Sequence, residues 1–203
     1  MRDIAEIEND VFSTFREIET ERLILRKITQ GDRAALFRLY SDQSVVRYNL
    51  TEQFDHISDA EVFIRQLDVQ FKQRLRLWWG ITLKEHGTVI GTCGFLKWNR
   101  TGMYAHCGSM GYDMAQTFWR HGYTSEAAYA VVKFGFEEMC LNRIEADFVP
   151  ENTAASNLLA KLGFSFEGTL RQRGYLKGEF HDLEHYSLLR SEWEKQSEPN
   201  HED

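Results

Sequence analysis

Gly111-Tyr112-Asp113-Met114-Ala115-Gln116-Thr117-Phe118-Trp119-Arg120-His121-Gly122-Tyr123-Thr124-Ser125-Glu126-Ala127 reads as the end of a strand, a tight turn and the first turn of a helix running to about residue 139. Such a junction is an anion site. The first N–H groups of a helix have no intrahelical partner, and the aligned peptide dipoles add partial positive charge there. Gly122 lets the backbone approach a ligand with no Cβ in the way. Alone, the pattern also fits an ordinary strand-to-helix turn, so the rest of the chain has to decide.

The 203 residues suit one domain with a sizeable core. Apolar residues at 42% and aromatics at 13% belong to a globular chain. A net charge of −7 argues against a surface that coats nucleic acid. It is weak support for a basic peptide or polyamine partner. Cys93, Cys107 and Cys140 make no C-x-x-C pair and leave no complete disulfide set, so reduced thiols and a cytoplasmic setting are expected. A nucleophile pair of Cys107 and His106 is disfavoured, because adjacent strand residues point to opposite faces. No apolar run suggests a signal peptide or a membrane span, and no metal site is expected.

Residues 1–18 are mixed and charged and read as an added helix or arm. Residues 21–27 form a short strand, after which Thr29 and Asp32 open a helix with Ala35, Leu36, Leu39 and Tyr40 inward. Ser58-x-x-Glu61 has the form of a capping box, and Phe63, Leu67 and Phe71 share the face of the helix behind it. Two strands, 77–83 and 88–96, make a hairpin around Glu85-His86-Gly87. Trp78, Trp79 and Trp98 flank it, with sheet packing favoured over a place in a substrate groove. Residues 103–114 read as a long strand entering the opening stretch. After its helix come a strand at 143–149, a helix capped by Asn152 or Thr153 and closed by Gly163, and strands at 165–172 and 181–189 with Gly174 and Gly178 between them. A charged tail, 194–203, follows the domain at 19–193. The order is β-α-α-β-β-β-α-β-α-β-β, an α+β chain.

That order, with Trp119-x-x-Gly122-x-Thr124, resembles the GNAT superfamily of N-acetyltransferases, whose pyrophosphate loop reads Arg/Gln-x-x-Gly-x-Gly/Ala. The segment FWRHGYTSEA is similar to the loop of the branch that acetylates the N-terminal alanine or serine of ribosomal proteins. TERLILRKITQGDRAALFRLYSD resembles that branch's opening strand and helix, and PENTAASNLLAKLGF its second cofactor motif. The resemblance spans residues 19–193. It implies a mixed, mostly antiparallel sheet of about seven strands flanked by helices. Two central parallel strands would splay around acetyl-CoA. It further implies direct transfer to a primary amine, most simply the N-terminal amine of a protein, with a small amine (a polyamine, amino acid or aminoglycoside) or a non-catalytic CoA-binding role as alternatives. Self-association as a homodimer is a further implication.

On this resemblance the pyrophosphate falls to Trp119, Arg120, His121, Gly122, Tyr123, Thr124 and Ser125. The backbones of Asp113 and Met114 fall beside the pantetheine arm, since its amides can extend an unpaired strand edge. Asn152 and Ser156 would contact the arm near its sulfur, although an Asn at a helix start is also an ordinary cap. Amide formation needs a neutral amine and a route for its proton. Glu145 and Asp147, two apart on one strand face, could each take it, and each also reads as a salt-bridged carboxylate. Glu126, in the first helical turn, reads as a dipole-compensating group. Two departures stand out. Leu159 occupies a position where many relatives carry a proton-donating Tyr, which leaves Ser156, water or backbone N–H groups to serve the thiolate. Thr124 replaces the usual Ala or Gly.

Overall fold

The computed structural model describes residues 3–48 and 51–197. Its strands are β1 (Ile18–Glu19), β2 (Leu23–Arg26), β3 (Leu77–Leu83), β4 (Val89–Asn99), β5 (Cys107–Met114), β6 (Arg143–Phe148), β7 (Ser165–Leu176) and β8 (Glu179–Leu189). Its helices are α1 (Ile4–Ser13), α2 (Arg33–Tyr40), α3 (Gln43–Val46), α4 (Ile57–Lys72), α5 (Tyr123–Glu137), α6 (Thr153–Lys161) and α7 (Arg190–Ser197). The strands form one sheet in the order β1-β2-β3-β4-β5-β6-β8-β7. Among the described residues the two-residue β1 makes eight strands where the sequence predicts about seven.

Neighbouring strands run antiparallel except β5 and β6, which are joined through α5, the kind of crossover a parallel pair requires. Their pairing covers only Cys107 with Arg143, Gly108 with Ile144 and Ser109 with Glu145. Beyond those residues β5 stays paired to β4 as far as Met114, and β6 stays paired to β8 as far as Phe148. The two strands therefore part while each is held from its outer side. A wedge opens in the middle of the sheet, at the end where β5 turns into α5.

Two cores hold the sheet. Helices α1, α5, α6 and α7 cover one face, with Val11, Trp79, Phe95, Val131, Leu159 and Trp193 in one apolar cluster. Helices α2, α3 and α4 cover the other through Leu36, Tyr40, Ile64 and Trp78. Trp78 and Trp79 thus go to opposite faces, as successive strand residues must. Trp78 lies across the sheet because Gly94 and Gly111 have no side chain beneath it. A Cβ would come within 3.0 Å of the indole at Gly94 and 3.2 Å at Gly111. Residues 4–16 pack onto the first core through Ile7, Val11 and the rings of Phe12 and Phe15, and Arg16 bridges Asp10 (2.7 Å) and Glu138 (2.6 Å).

Four local expectations change. Residues 103–114 are not one strand. Gly102–Tyr104 forms a 3-10 turn, and β5 starts only at Cys107, after His106 takes left-handed backbone (φ 62°). Helix α4 starts at Ile57, and Asp59 rather than Glu61 caps it, accepting from the N–H groups of Asp55 (3.0 Å) and His56 (2.8 Å). Gly174 sits inside β7 opposite His181, so the hairpin turns later, at Lys177 and Gly178. Residues 190–197, from the end of the expected domain into the expected charged tail at 194–203, form a helix, and residues 198–203 lie outside the described ones. Other expectations hold, among them the hairpin at Gly87 (φ 64°), the left-handed stop at Gly163 (φ 87°) and the Asn152 cap. No helix among the described residues is long and apolar enough to cross a membrane.

Candidate active site

The wedge leads into a cavity of about 270 Å³. Its lining comes from both sides of the sheet. Ala155 and Leu159 of α6, with its cap Asn152, lie on the first-core side, and Trp78, Arg76 and Asp113 on the other. Asp147 on β6, Tyr112 on β5 and Leu183 on β8 complete much of the wall. The tip of the β7–β8 hairpin is tied down beside it, with Lys177 Nζ donating to the carbonyls of Val46 (3.2 Å) and Arg47 (3.4 Å).

Beyond the wedge, β5 passes through a short 3-10 turn into Trp119, whose backbone is extended, then Arg120 (φ 63°) and Gly122 (φ 80°). Two left-handed residues in quick succession reverse the chain and leave Gly122 as the cap of α5. The N–H groups of Tyr123, Thr124 and Ser125 are in the first turn and have no intrahelical acceptor by construction. Trp119 Nε1 donates to the Met114 carbonyl (2.7 Å), which pins the loop to the strand end. His121 stacks on Tyr123 (5.7 Å between centroids) and bonds the Trp119 carbonyl through Nδ1.

Arg22 carries no signal in the opening stretch, yet it locks the loop in place. Its Nη1 donates to the His121 carbonyl (3.0 Å), its Nε to Glu126 (2.7 Å), and its guanidinium lies 4.6 Å from the Tyr123 ring centre. Glu126 also accepts from Thr20 Oγ1 (2.6 Å) and the Arg22 N–H (2.8 Å). Burial alone would raise the Glu126 carboxyl, but these bonds outweigh it and leave the pKa below the ordinary range. Glu126 is thus a structural anchor between α5 and the β1–β2 turn. An open groove starts at Gly122 and Ser125 and follows α5 past Tyr129 and Lys133.

The catalytic candidates separate. Asp147 lines the cavity, and its Oδ1 accepts from His185 Nδ1 at 2.5 Å. Glu145 is outside the lining and accepts from Arg143 Nε at 2.6 Å. Ser156 is also outside the lining, and its hydroxyl donates to the Thr153 carbonyl at 3.0 Å. Asn152 lines the cavity and caps α6 at once, accepting from the Ala155 N–H (3.2 Å). Met114 is buried, with its carbonyl taken by Trp119. Asp113 enters the cavity wall and its side chain accepts from Tyr40 (2.9 Å). Cys107 is buried beside Glu145, and burial foremost lifts its thiol to about 12, so it is no nucleophile near neutral pH.

Four groups at the cavity escape sequence reading: Arg76, Tyr112, His185 and Tyr40. Arg76 and Tyr112 line it, and Tyr40 and His185 bond to its lining residues Asp113 and Asp147; only the fold shows which strand faces meet. The Tyr40 hydroxyl joins Thr92 Oγ1 (2.9 Å) and Asp113 in the interior. Burial, reinforced by the Asp113 charge, holds Tyr40 far above the usual tyrosine range, so it stays a donor. Tyr40→Phe removes the hydroxyl that bonds both Thr92 and Asp113 and is expected to cost about 1–3 kcal/mol, read as a lower urea midpoint. An unchanged midpoint would show that this bond adds nothing.

Arg143 meets Glu167 through both terminal nitrogens (2.7 and 2.6 Å), while Ser187 Oγ donates to Glu167 at 2.5 Å. Arg143 first, then Ser187, pulls the Glu167 carboxyl from 4.5 to about 2. A depressed folded-state pKa stabilises fully above the unfolded value and is lost as pH falls towards 2. Glu167 is part-exposed, so solvent screening trims the effect. The melting temperature of Glu167→Gln is therefore expected to fall less steeply than wild type between pH 5 and 2, and parallel curves would refute this.

A splayed parallel pair with a helix N-terminus beyond its opening is the architecture of an acetyltransferase. The acetyltransferase (GNAT) domain family model matches residues 22–165, and the chain belongs to that family of acyltransferases, whose fold uses acetyl-CoA. It is 35% identical over 176 residues to the uncharacterised N-acetyltransferase YoaA of Bacillus subtilis, covering 87% of this chain and 98% of the relative. It is 24% identical over 183 residues to the ribosomal protein uS5-alanine N-acetyltransferase of Escherichia coli, covering 87% and 92%. In fold it resembles Mycobacterium smegmatis RimJ in complex with CoA-disulfide, with a TM-score of 0.79, 21% identity, and 88% and 89% coverage.

Proposed function

We propose that the protein moves the acetyl group of acetyl-CoA directly to the N-terminal amine of a protein, a reading supported by a relative from Escherichia coli named as a ribosomal protein uS5-alanine N-acetyltransferase. The observation that carries the reading is the cavity that passes through the open wedge. It lets a thioester and an amine reach the same point from opposite faces of the sheet. The turn at Trp119, Arg120, His121 and Gly122, with the N–H groups of Tyr123, Thr124 and Ser125, fits a pyrophosphate. It has no Cβ at Gly122, donors in the first helical turn, and the Arg22 cation alongside. The hydroxyls of Thr124 and Ser125 add donors there, and the Thr124 Cβ is accommodated because Gly122 makes the close approach. The edge of β5 beyond its pairing with β6, at Asp113 and Met114, suits the pantetheine amides, although Trp119 already holds the Met114 carbonyl, and Asn152 and Ser156 are assigned to the arm.

In this scheme Asp147, oriented by His185, accepts the proton of the attacking amine, and Glu145 holds Arg143 in place behind it. The amine nitrogen bonds to the acetyl carbon, the C–S bond breaks, and the thiolate leaves and takes up a proton. Leu159 cannot supply that proton. Tyr112 brings to the same lining a hydroxyl that has no partner among the described residues and that burial keeps protonated. The three free thiols fit a reducing, cytoplasmic setting. The cavity holds Arg76 beside Asp113 and Asp147, which is not the wholly acidic well that a polyamine needs.

The test is thiol release from acetyl-CoA with short peptides of free N-terminus, compared with polyamines and aminoglycosides, and mass spectrometry of each product. Acetyl groups on peptide N-termini support the reading. Acetylation of small amines alone would overturn the protein acceptor, and no thiol release with any amine would overturn the transferase.

A further inference from the structure

We infer that Arg76 and Trp78 form a subsite for an anionic group, carboxylate or phosphate, carried by the acceptor close to its reacting amine. This inference rests on the transferase reading above. Both residues line the cavity, on the α2–α4 side of the sheet. The Arg76 guanidinium carbon lies 4.2 Å from the Trp78 ring centre. Arg76 Nε and Trp78 Nε1 are buried N–H donors, and neither has a hydrogen-bond partner among the described residues.

Two other inward-turned arginines show what such a group can do. Arg26 forks onto Asp32 (2.9 and 2.7 Å), and Arg143 forks onto Glu167. Arg76 forms no ion pair and no hydrogen bond with any described residue. Tyr40 and Asp113 act on it only through space, and Asp113 spends an oxygen on the Tyr40 hydroxyl. Burial pulls the Arg76 pKa below the usual guanidinium value, yet the group keeps its charge at neutral pH. A half-buried charge without a partner still costs desolvation. The fold keeps this one at the wall of the cavity where an acceptor enters, stacked on an indole that fixes its plane.

Two donors with no acceptor opposite them match the oxygens of a carboxylate or phosphate. The acceptor class that follows is a primary amine with an anion nearby. It is either an N-terminus followed by an acidic side chain or an amino compound with its own carboxylate or phosphate. Polyamines and aminoglycosides, cationic throughout, would meet like charge.

The test compares kcat/KM for matched acceptors: Ser-Asp-amide against Ser-Asn-amide, serine against serine amide, and phosphoethanolamine against ethanolamine. The anionic member of at least one pair is expected to lead by tenfold or more in the wild type. Arg76→Gln should bring that ratio close to one, and Arg76→Lys should keep part of it. The pair that responds identifies the source of the anion. Ratios near one in every pair, or a preference that survives Arg76→Gln, would overturn the subsite.

A second arm needs no turnover. Calorimetric titration with N-acetyl-aspartate amide should saturate in the wild type and not in Arg76→Gln, while N-acetyl-asparagine amide should not bind. For this ligand, and for N-acetyl-serine and N-acetylated phosphoethanolamine tried in parallel, absence of any charge-dependent binding would overturn the subsite. Failure of thiol release alone would instead strike the transferase reading. Arg76→Gln should melt at or above the wild-type temperature, because it removes an unpaired, half-buried charge. A purely structural arginine would lower that temperature when replaced.

Discussion

Gly122→Trp is expected to lower acetyl-CoA affinity by about a hundredfold or more in a calorimetric titration, a loss of roughly 3 kcal/mol. The side chain would project where an anion must meet the first N–H groups of α5. Gly122 has φ 80°, and a Cβ there already stands 3.3 Å from Arg22 Nη2. The bulky ring therefore either covers the donors or displaces Arg22, and both remove positive potential from the loop. Left-handed backbone costs a non-glycine residue about 1–2 kcal/mol, so the melting temperature should fall as well. Gly122→Ala separates the two effects. It carries the same backbone strain without the bulk, so it should melt almost as low as the Trp variant yet bind distinctly better. Equal acetyl-CoA affinity in wild type and the Trp variant would show that this turn does not hold the pyrophosphate.

Asp147→Asn is expected to reduce kcat by about 100-fold or more while leaving the dissociation constant of acetyl-CoA within twofold of wild type. The amide keeps the shape of the carboxylate and can still accept from His185 Nδ1 at the observed 2.5 Å, but it cannot take a proton from the amine. Glu145→Gln should cost kcat far less, because Glu145 faces Arg143 rather than the cavity. A kcat for Asp147→Asn within threefold of wild type would remove Asp147 as the base. The larger loss falling on Glu145→Gln would move the role to that residue.

The strands, the helices and the loop at Gly122 were legible because each depends on short-range chemistry. Alternation along β2, the turn at Gly87, the stop at Gly163 and the donors at the start of α5 are decided within a few residues of chain. Where local cues competed, local reading lost. Two residues near the start of α4 could serve as its cap, and the backbone chose Asp59 over Glu61. His106 in left-handed conformation shortened β5, and nothing in its neighbours announces that.

The division of labour between Glu145 and Asp147 was not legible at all. Both lie on one face of β6, as their spacing says, but what each does is set by other strands: Glu145 pairs with its neighbour Arg143, which Glu167 of β7 holds, and Asp147 meets His185 of β8. Likewise Arg22 reaches α5 from the β1–β2 turn, and Tyr40 reaches Asp113 across 73 positions of chain.

By itself, then, the sequence determined the family, most of the element order and the strand-to-helix turn at Gly122, since periodicity, caps and glycine positions act locally. Only the tertiary structure decided which carboxylate faces the cavity, and it alone left Arg76 unpaired there. Those outcomes depend on where β5 and β6 stop pairing and on which distant side chains the two cores bring beside the opening. Burial and charge pairing are properties of that assembled neighbourhood, and no stretch of chain carries them alone.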